Sequence, residues 1–288
     1  MNKSVELMHG GERIRVAVGT SFFELAKREQ ERYPNPILLA TLNGILHELT
    51  STVEEAGELR FLTVRDKAGF QSYERSAILL LLAAQHKLYG DAGNGIQIDY
   101  KESGALRCRI LGQNRVDEDE LVQLETAMRE LSAAALPIEK RSVPTREAVR
   151  LFAARGMKDK AELFRFRIHS YVNLYRLAGY EDYFYGYMLP NSSYIDSFSL
   201  KAYEDGFVLL LPDRRSPETL MPFQPEQKIF EAMEASRESL ERQGIDTVGA
   251  MNARAAAGKM KELILCAEAQ MEKRIGDLAD KICRRKGV

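Results

Sequence analysis

The sequence predicts an α+β chain in three parts, and three observations carry that reading. The first 66 residues set short alternating apolar runs around one capped helix. The middle holds the longest apolar run of the chain, Gln71–Gly90, followed by hairpin and helix patterns. Beyond Pro212 a proline-punctuated stretch gives way to helical periodicity alone. Period two marks half-buried strands and a period near 3.6 marks amphipathic helices, so the boundaries are expected at 1–66, 67–212 and 213–288.

The 288 residues suffice for two or three domains with cores of their own. Forty-one Lys and Arg against 42 Asp and Glu leave a formal charge of −1, which gives no global pull towards nucleic acid or an anionic membrane. Any RNA contact must come from a local patch. Three cysteines, Cys108, Cys266 and Cys283, have no metal or disulfide spacing, so a reduced, cytoplasmic setting is expected. The amino end lacks a basic-then-apolar signal pattern. The Ile78–Ala84 core is too short to span a bilayer.

In the first part, Ile14, Val16 and Val18 alternate with Arg13, Arg15 and Ala17 as in a strand. Ser21-Phe22-Phe23-Glu24 is a capping box opening a helix. Tyr33-Pro34 and Asn35-Pro36 stop it, because the residue before proline is pushed out of the helical region. Ile37–Leu42 reads as a strand, Asn43-Gly44 as a type I′ hairpin turn, and Leu59–Val64 as a last strand. His9 and His47 are expected as surface turn residues. Strand, strand, helix and Asn-Gly hairpin resemble a TGS domain of the β-grasp fold, with 40–49 matching its hairpin. The resemblance implies either an RNA- or ligand-binding appendage or a ubiquitin-like spacer.

The apolar run 71–90 must be a helix buried against most of its domain. Ile96–Tyr100 and Leu106–Leu111 read as a hairpin around Ser103-Gly104. Asp117–Leu136 reads as an amphipathic helix with Leu121, Leu124, Met128 and Leu131 on one face and acids at its start. Leu136-Pro137-Ile138 stops it, and a helix over Glu147–Arg155 follows. This order resembles the editing domain of threonyl-tRNA synthetases. That family binds zinc through His-x-x-x-His on the central helix and Cys-x-x-x-His in a later segment. Registered on Leu88-Tyr89-Gly90 and on Gly186, the four ligand positions fall on Arg75, Leu79, Phe184 and Met188. Arg, Leu and Phe offer zinc no lone pair, and a Met thioether is no substitute for His, so no tetrahedral site is expected. Met and Phe suit a site rebuilt as packing.

Tyr180–Tyr194 carries five tyrosines. Asp182-Tyr183-Phe184-Tyr185-Gly186 is similar to a bacterial nucleoside (uridine-type) kinase family with a TGS domain and a zinc-less synthetase-like domain ahead of its kinase domain. Tyr183, Tyr185 and Tyr187 either line the core face of a strand or stack a base in a cleft beside Arg75 and Met188. Leu163–His169 alternates apolar with basic residues. As a strand it would put Arg165, Arg167 and His169 on one face, joined by Arg176, as a candidate phosphate or RNA contact or as a solvated charge row.

Past the proline-rich linker, helices are expected over 226–243, 247–257 and 260–285. Leu263, Ala267, Met271, Ile275, Leu278 and Ile282 form one stripe in the last, which packs on the parent domain or pairs a homodimer. Gly249…Gly258-Lys259-Met260 is no P-loop: eight residues separate the glycines where four are required, and Met260 stands where Ser or Thr would hold magnesium. The basic ending at 284–286 resembles the approach to the kinase domain of that family. The resemblance implies a non-catalytic accessory region, with no cofactor in this chain, whose partner is its own carboxy-terminal kinase domain using ATP or GTP and magnesium. The alternatives are a zinc-independent aminoacyl-tRNA editing deacylase or an RNA-binding module, with RNA or a small nucleotide-like molecule as ligand and no membrane.

Overall fold

The computed structural model describes residues 3–92 and 94–285. The chain divides into two compact units, one within 1–142 and 173–229 and the other within 143–172 and 230–288. The first unit thus joins most of the two amino-terminal parts, and the second takes the segment 143–172 together with the tail.

At the amino end, β1 (Ser4–His9), β2 (Glu12–Ala17), β3 (Ile37–Leu42), β4 (Ile45–Glu48) and β5 (Gly57–Thr63) form one sheet in the order β2-β1-β5-β3-β4. Only the central β1/β5 pair is parallel, which is a β-grasp order. Helix α1 (Phe22–Glu29) starts where Ser21 Oγ accepts the Glu24 amide at 3.2 Å. It lays Phe22, Leu25 and Ala26 on Leu7, Ile37, Leu59 and Phe61. Asn43 and Gly44 both have positive φ, 52° and 79°, which is the I′ turn expected between β3 and β4. His9 corrects the expectation of a surface histidine. It is 6% exposed, its Nδ1 lies 3.0 Å from the Leu59 carbonyl, and its ring meets Phe61 edge-on. The imidazole closes the end of the sheet between β1 and β5. His47 packs its ring on Phe22.

Helix α2 (Lys67–Tyr89) is the axis of the unit: Leu79–Ala84 are all buried. It can start so close to β5 because residue 69 is glycine; a Cβ there would lie 2.0 Å from the Thr63 carbonyl oxygen. Against it lies α3 (Glu118–Ala133), whose Asp117 cap accepts the Asp119 amide at 2.9 Å. Both helices share a core with a four-stranded antiparallel sheet, β11-β12-β7-β6, made from β6 (Ile96–Glu102), β7 (Ala105–Ile110), β11 (Ser199–Tyr203) and β12 (Gly206–Leu210). Three further strands, β8 (Glu139–Pro144), β9 (Tyr171–Leu177) and β10 (Tyr180–Tyr183), form a small sheet in the order β10-β9-β8.

In the second unit, α4 (Thr145–Ala154) and α5 (Lys158–Arg165) form a helical hairpin closed by stacking of Phe152 on Phe164, centroids 5.4 Å apart. The expected strand over 163–169 is therefore overturned. Ala161 and Phe164, three apart, bury the inner face of α5, and residues 166–170 leave it without strand pairing. The aromatic contact across the hairpin and the helix-favouring run 158–162 outweigh a short alternating pattern. Tyr183, Tyr185 and Tyr187 do not share a strand face either. Strand β10 ends at Tyr183, Gly186 turns the chain at φ 120°, and Tyr185 is 81% exposed.

The tail forms α6 (Gln227–Arg242), α7 (Val248–Ala256) and α8 (Met260–Arg284). Gly249 of α7 lets that helix approach α5, since a Cβ would lie 3.0 Å from the Leu163 amide. Helix α8 buries no residue, and Met271, Ile275, Leu278 and Ile282 of its stripe stay about half exposed. Lys286 lies outside the described residues. No helix among the described residues is long and apolar enough to cross a membrane.

Candidate functional site

The four positions singled out as lost zinc ligands are brought together in the first unit. Arg75 and Leu79 lie one turn apart on α2, and Phe184 and Met188 lie on the segment after β10. Leu79 and Met188 are buried in the main core, and Phe184 packs on its edge. Arg75 donates to the Tyr187 carbonyl from Nε at 3.2 Å and from Nη2 at 3.1 Å, and Nη2 also reaches Ser72 Oγ at 3.2 Å. Its guanidinium lies against Gly186, where a Cβ would be 2.7 Å from Cζ. Burial pulls the Arg75 pKa below the usual guanidinium range, and the nearby Tyr175 and carboxylates Glu74 and Glu48 oppose that.

Two residues that the sequence reading did not single out hold the other side of this segment. Glu48, at the end of β4 and 4% exposed, accepts the Met188 amide at 3.0 Å and the Tyr175 hydroxyl at 2.6 Å on one oxygen. Its other oxygen pairs with Lys140 at 3.1 Å. The Gly186 carbonyl lies 2.9 Å from the Tyr175 hydroxyl and shares its proton. Ser76, one residue after Arg75, accepts the Leu189 amide at 3.0 Å. Burial first, and the Glu48 charge second, push the Tyr175 phenol far above its usual range. The signal for this network was faint. Ser72, Arg75 and Ser76 interrupt an otherwise apolar helix on one face, but nothing near Glu48 marks it in the sequence.

The expected cleft between α2 and the tyrosine segment is thus filled. Among the described residues, Arg75 and Ser76 tie Tyr187 and Leu189 to α2, Glu48 ties Met188 to β4 and Tyr175 ties Gly186 to β9, all through main-chain groups. The basic candidates are dispersed. Arg165 ends α5, Arg167 lies 5.6 Å over the Phe164 ring, and His169 is exposed in the segment after it, all in the second unit. Its carbonyl accepts from Thr145 Oγ1. Arg176 is exposed on β9 in the first unit. Beside Arg165, Arg167 and His169, Ile168 is 97% exposed and Tyr171 62%.

Sequence similarity points to one kind of protein. The threonine–tRNA ligase of Rubrobacter xylanophilus is 28% identical over 182 residues, 63% of this chain and 28% of that protein. Those of Azobacteroides pseudotrichonymphae and Syntrophotalea carbinolica are each 29% identical, over 179 and 153 residues, covering 61% and 53% of this chain and 27% and 24% of those ligases. No family model matches the chain.

This chain carries a threonyl-tRNA synthetase-like region. It spans roughly a quarter of the length of these ligases. The ligases lend no support to the kinase resemblance drawn from residues 182–186.

Proposed function

We propose that this chain is a tRNA-recognising module built on the threonyl-tRNA synthetase editing plan, with a TGS-type β-grasp domain at its amino end. In it, packing has replaced the metal centre. The carrying observation is the engagement of Arg75 with Tyr187 and Gly186 at the position the family gives to a zinc ligand. Metal-assisted hydrolysis needs three ligand side chains and an open fourth position for water. Arg75, Leu79, Phe184 and Met188 supply neither. Likeness to threonine–tRNA ligases over about 60% of the chain supports tRNA as the ligand. It favours this reading over a nucleoside-kinase accessory region, to which none of these relatives is similar by name. Arg165, Arg167 and His169, interleaved with Phe166 and Ile168, are the proposed phosphate contacts.

The test is tRNA binding by the full chain across a salt series, run beside deacylation of a mischarged tRNA with and without chelator. Binding should weaken steeply as salt rises, and Arg165→Ala with Arg167→Ala should lower the salt slope by about one per lost contact. No deacylation above buffer is expected. Chelator-resistant deacylation would replace this reading with a zinc-independent deacylase. Absence of tRNA binding at low salt would reject it.

A further inference from the structure

A groove of about 780 Å³ opens in the first unit beside Glu74, and Arg75 itself is not among its lining residues. It lies between the first two turns of α2, the turn of the β6–β7 hairpin and the segment after β12. Its size falls within the ~300–1,000 Å³ usual for small-molecule sites.

Its chemistry is two-sided. Phe70, Leu211, Pro212 and Met221 give an apolar wall, and Met221 is 57% exposed there. Lys67, Lys101 and Arg214 bring three positive charges, and Glu74 and Asp213 two negative ones. Both carboxylates are already engaged. Glu74 pairs with Lys101. Asp213 accepts the Arg215 amide at 2.6 Å, within a turn that Ser216 closes through the Asp213 carbonyl at 3.1 Å. That turn leaves Arg214 at its tip. Lys67 and Arg214 are exposed and make no ion pair among the described residues. Gln71 and Gln224 add two amides, each able to donate and accept.

We infer that this groove binds a phosphorylated nucleoside. A phosphate carries between one and two negative charges at neutral pH, and the groove offers it a net charge of +1, with Lys67 and Arg214 in no ion pair among the described residues. A base has an apolar face for the Phe70 and Met221 wall and a polar edge for the glutamine amides. An apolar ligand would leave two cations and two amides without partners, and bare phosphate would leave the wall wet. The inference does not rest on the tRNA reading, because the groove contains none of the residues proposed there as phosphate contacts, and a free nucleotide and the end of an RNA chain share the chemistry it would recognise.

The experiment titrates the full chain calorimetrically with AMP, UMP, GMP and CMP, with inorganic phosphate, and with a short RNA ending in CCA. At least one mononucleotide should saturate the site below millimolar concentration, with phosphate at least about tenfold weaker. Lys67→Ala and Arg214→Ala should each weaken binding by about tenfold, the usual loss for one charge-assisted contact. Met221→Asp should abolish it. Arg215→Ala, on the same turn but outside the groove, should leave it unchanged. Binding of the RNA alone, weakened by the same substitutions, would identify an RNA end as the source and keep the site. Binding of neither probe, or binding indifferent to Lys67, Arg214 and Met221, overturns the inference, with circular dichroism confirming that each variant is folded.

Discussion

The Glu48 carboxylate and the Tyr175 hydroxyl lie 2.6 Å apart, joining the end of a β-grasp strand to a strand 127 positions later. The same carboxylate oxygen holds the Met188 amide, so one buried side chain ties the amino-terminal sheet to the segment that carries Phe184 and Met188. Glu48→Ala leaves the Met188 amide and Lys140 short of an acceptor and the Tyr175 hydroxyl with the Gly186 carbonyl alone. It should lower the unfolding free energy by about 2–4 kcal/mol, because unsatisfied buried donors cost more than the bond itself contributes. Lys140 is 37% exposed, so its share of that loss is small. Glu48→Gln retains an acceptor and should cost about half as much. Urea denaturation of the three proteins checks this, and a loss within about 0.5 kcal/mol for Glu48→Ala would mean that the carboxylate is not holding the segment.

Gly186 and Arg75 are coupled by space. A Cβ at 186 would lie 2.7 Å from the guanidinium carbon, and the backbone there has φ 120°. Gly186→Ala should therefore carry two separate costs, backbone strain and displacement of Arg75, together about 2–4 kcal/mol. Arg75→Ala removes the second cost and leaves the first. A double-mutant cycle should give a favourable coupling of about 1 kcal/mol, read from denaturation midpoints. Strict additivity would show that Arg75 moves aside freely.

Much of the fold was legible because local chemistry and tertiary structure agree. Ser21 caps α1, Asn43-Gly44 makes its turn, and the acids of 118–120 start α3 where a helix dipole favours them. The failures lie where a distant contact decides. Residues 163–169 alternate like a strand, but stacking of Phe164 on Phe152 draws Leu163 to Arg165 into a helix. His9 follows β1 into a turn, yet the Leu59 carbonyl and the Phe61 ring bury it. Glu48 has no local mark at all, since its partners come from 140, 175 and 188. Of the candidate site, the sequence pointed to Arg75 and Leu79 on the central helix and to Phe184 and Met188 on the tyrosine segment, and the structure brings these two segments together. It could not show that Arg75 would bond to the main chain rather than face an open cleft.

Alkaline pH should expose two of the buried phenols. Tyr73 donates to the Ser197 carbonyl at 2.8 Å and accepts the Ser197 amide at 3.1 Å. Burial pushes its pKa far above the ordinary value, as burial and then the Glu48 charge do for Tyr175. The sign follows from proton binding. Both phenols stay protonated in the fold, while in the unfolded chain they ionise near pH 10. Their contribution is complete below about pH 10 and falls as pH rises above it, because the folded state then binds more protons than the unfolded. Thermal melts between neutral pH and about pH 11 should show that fall. Tyr73→Phe and Tyr175→Phe should be less stable at neutral pH but should fall less steeply. A slope unchanged in both variants would place the alkaline lability in other groups.

The register that puts Arg75, Leu79, Phe184 and Met188 at the four ligand positions can be tested by reversing the replacements. Arg75→His, Leu79→His, Phe184→Cys and Met188→His together would restore two histidines four residues apart on α2, facing a Cys and a His on the segment that Ser76 and Glu48 already hold against that helix. Three nitrogens and one thiolate suit tetrahedral zinc. The combined variant should bind one divalent ion, and cobalt in place of zinc should give the intense visible absorption of a tetrahedral site with a thiolate ligand. Three-site variants should bind more weakly, and metal should raise the melting temperature of the four-site variant with the logarithm of its excess over the dissociation constant. A folded four-site variant that takes up no metal would mean that the four positions do not converge as the register requires, and the packing account of the lost centre would fall with it.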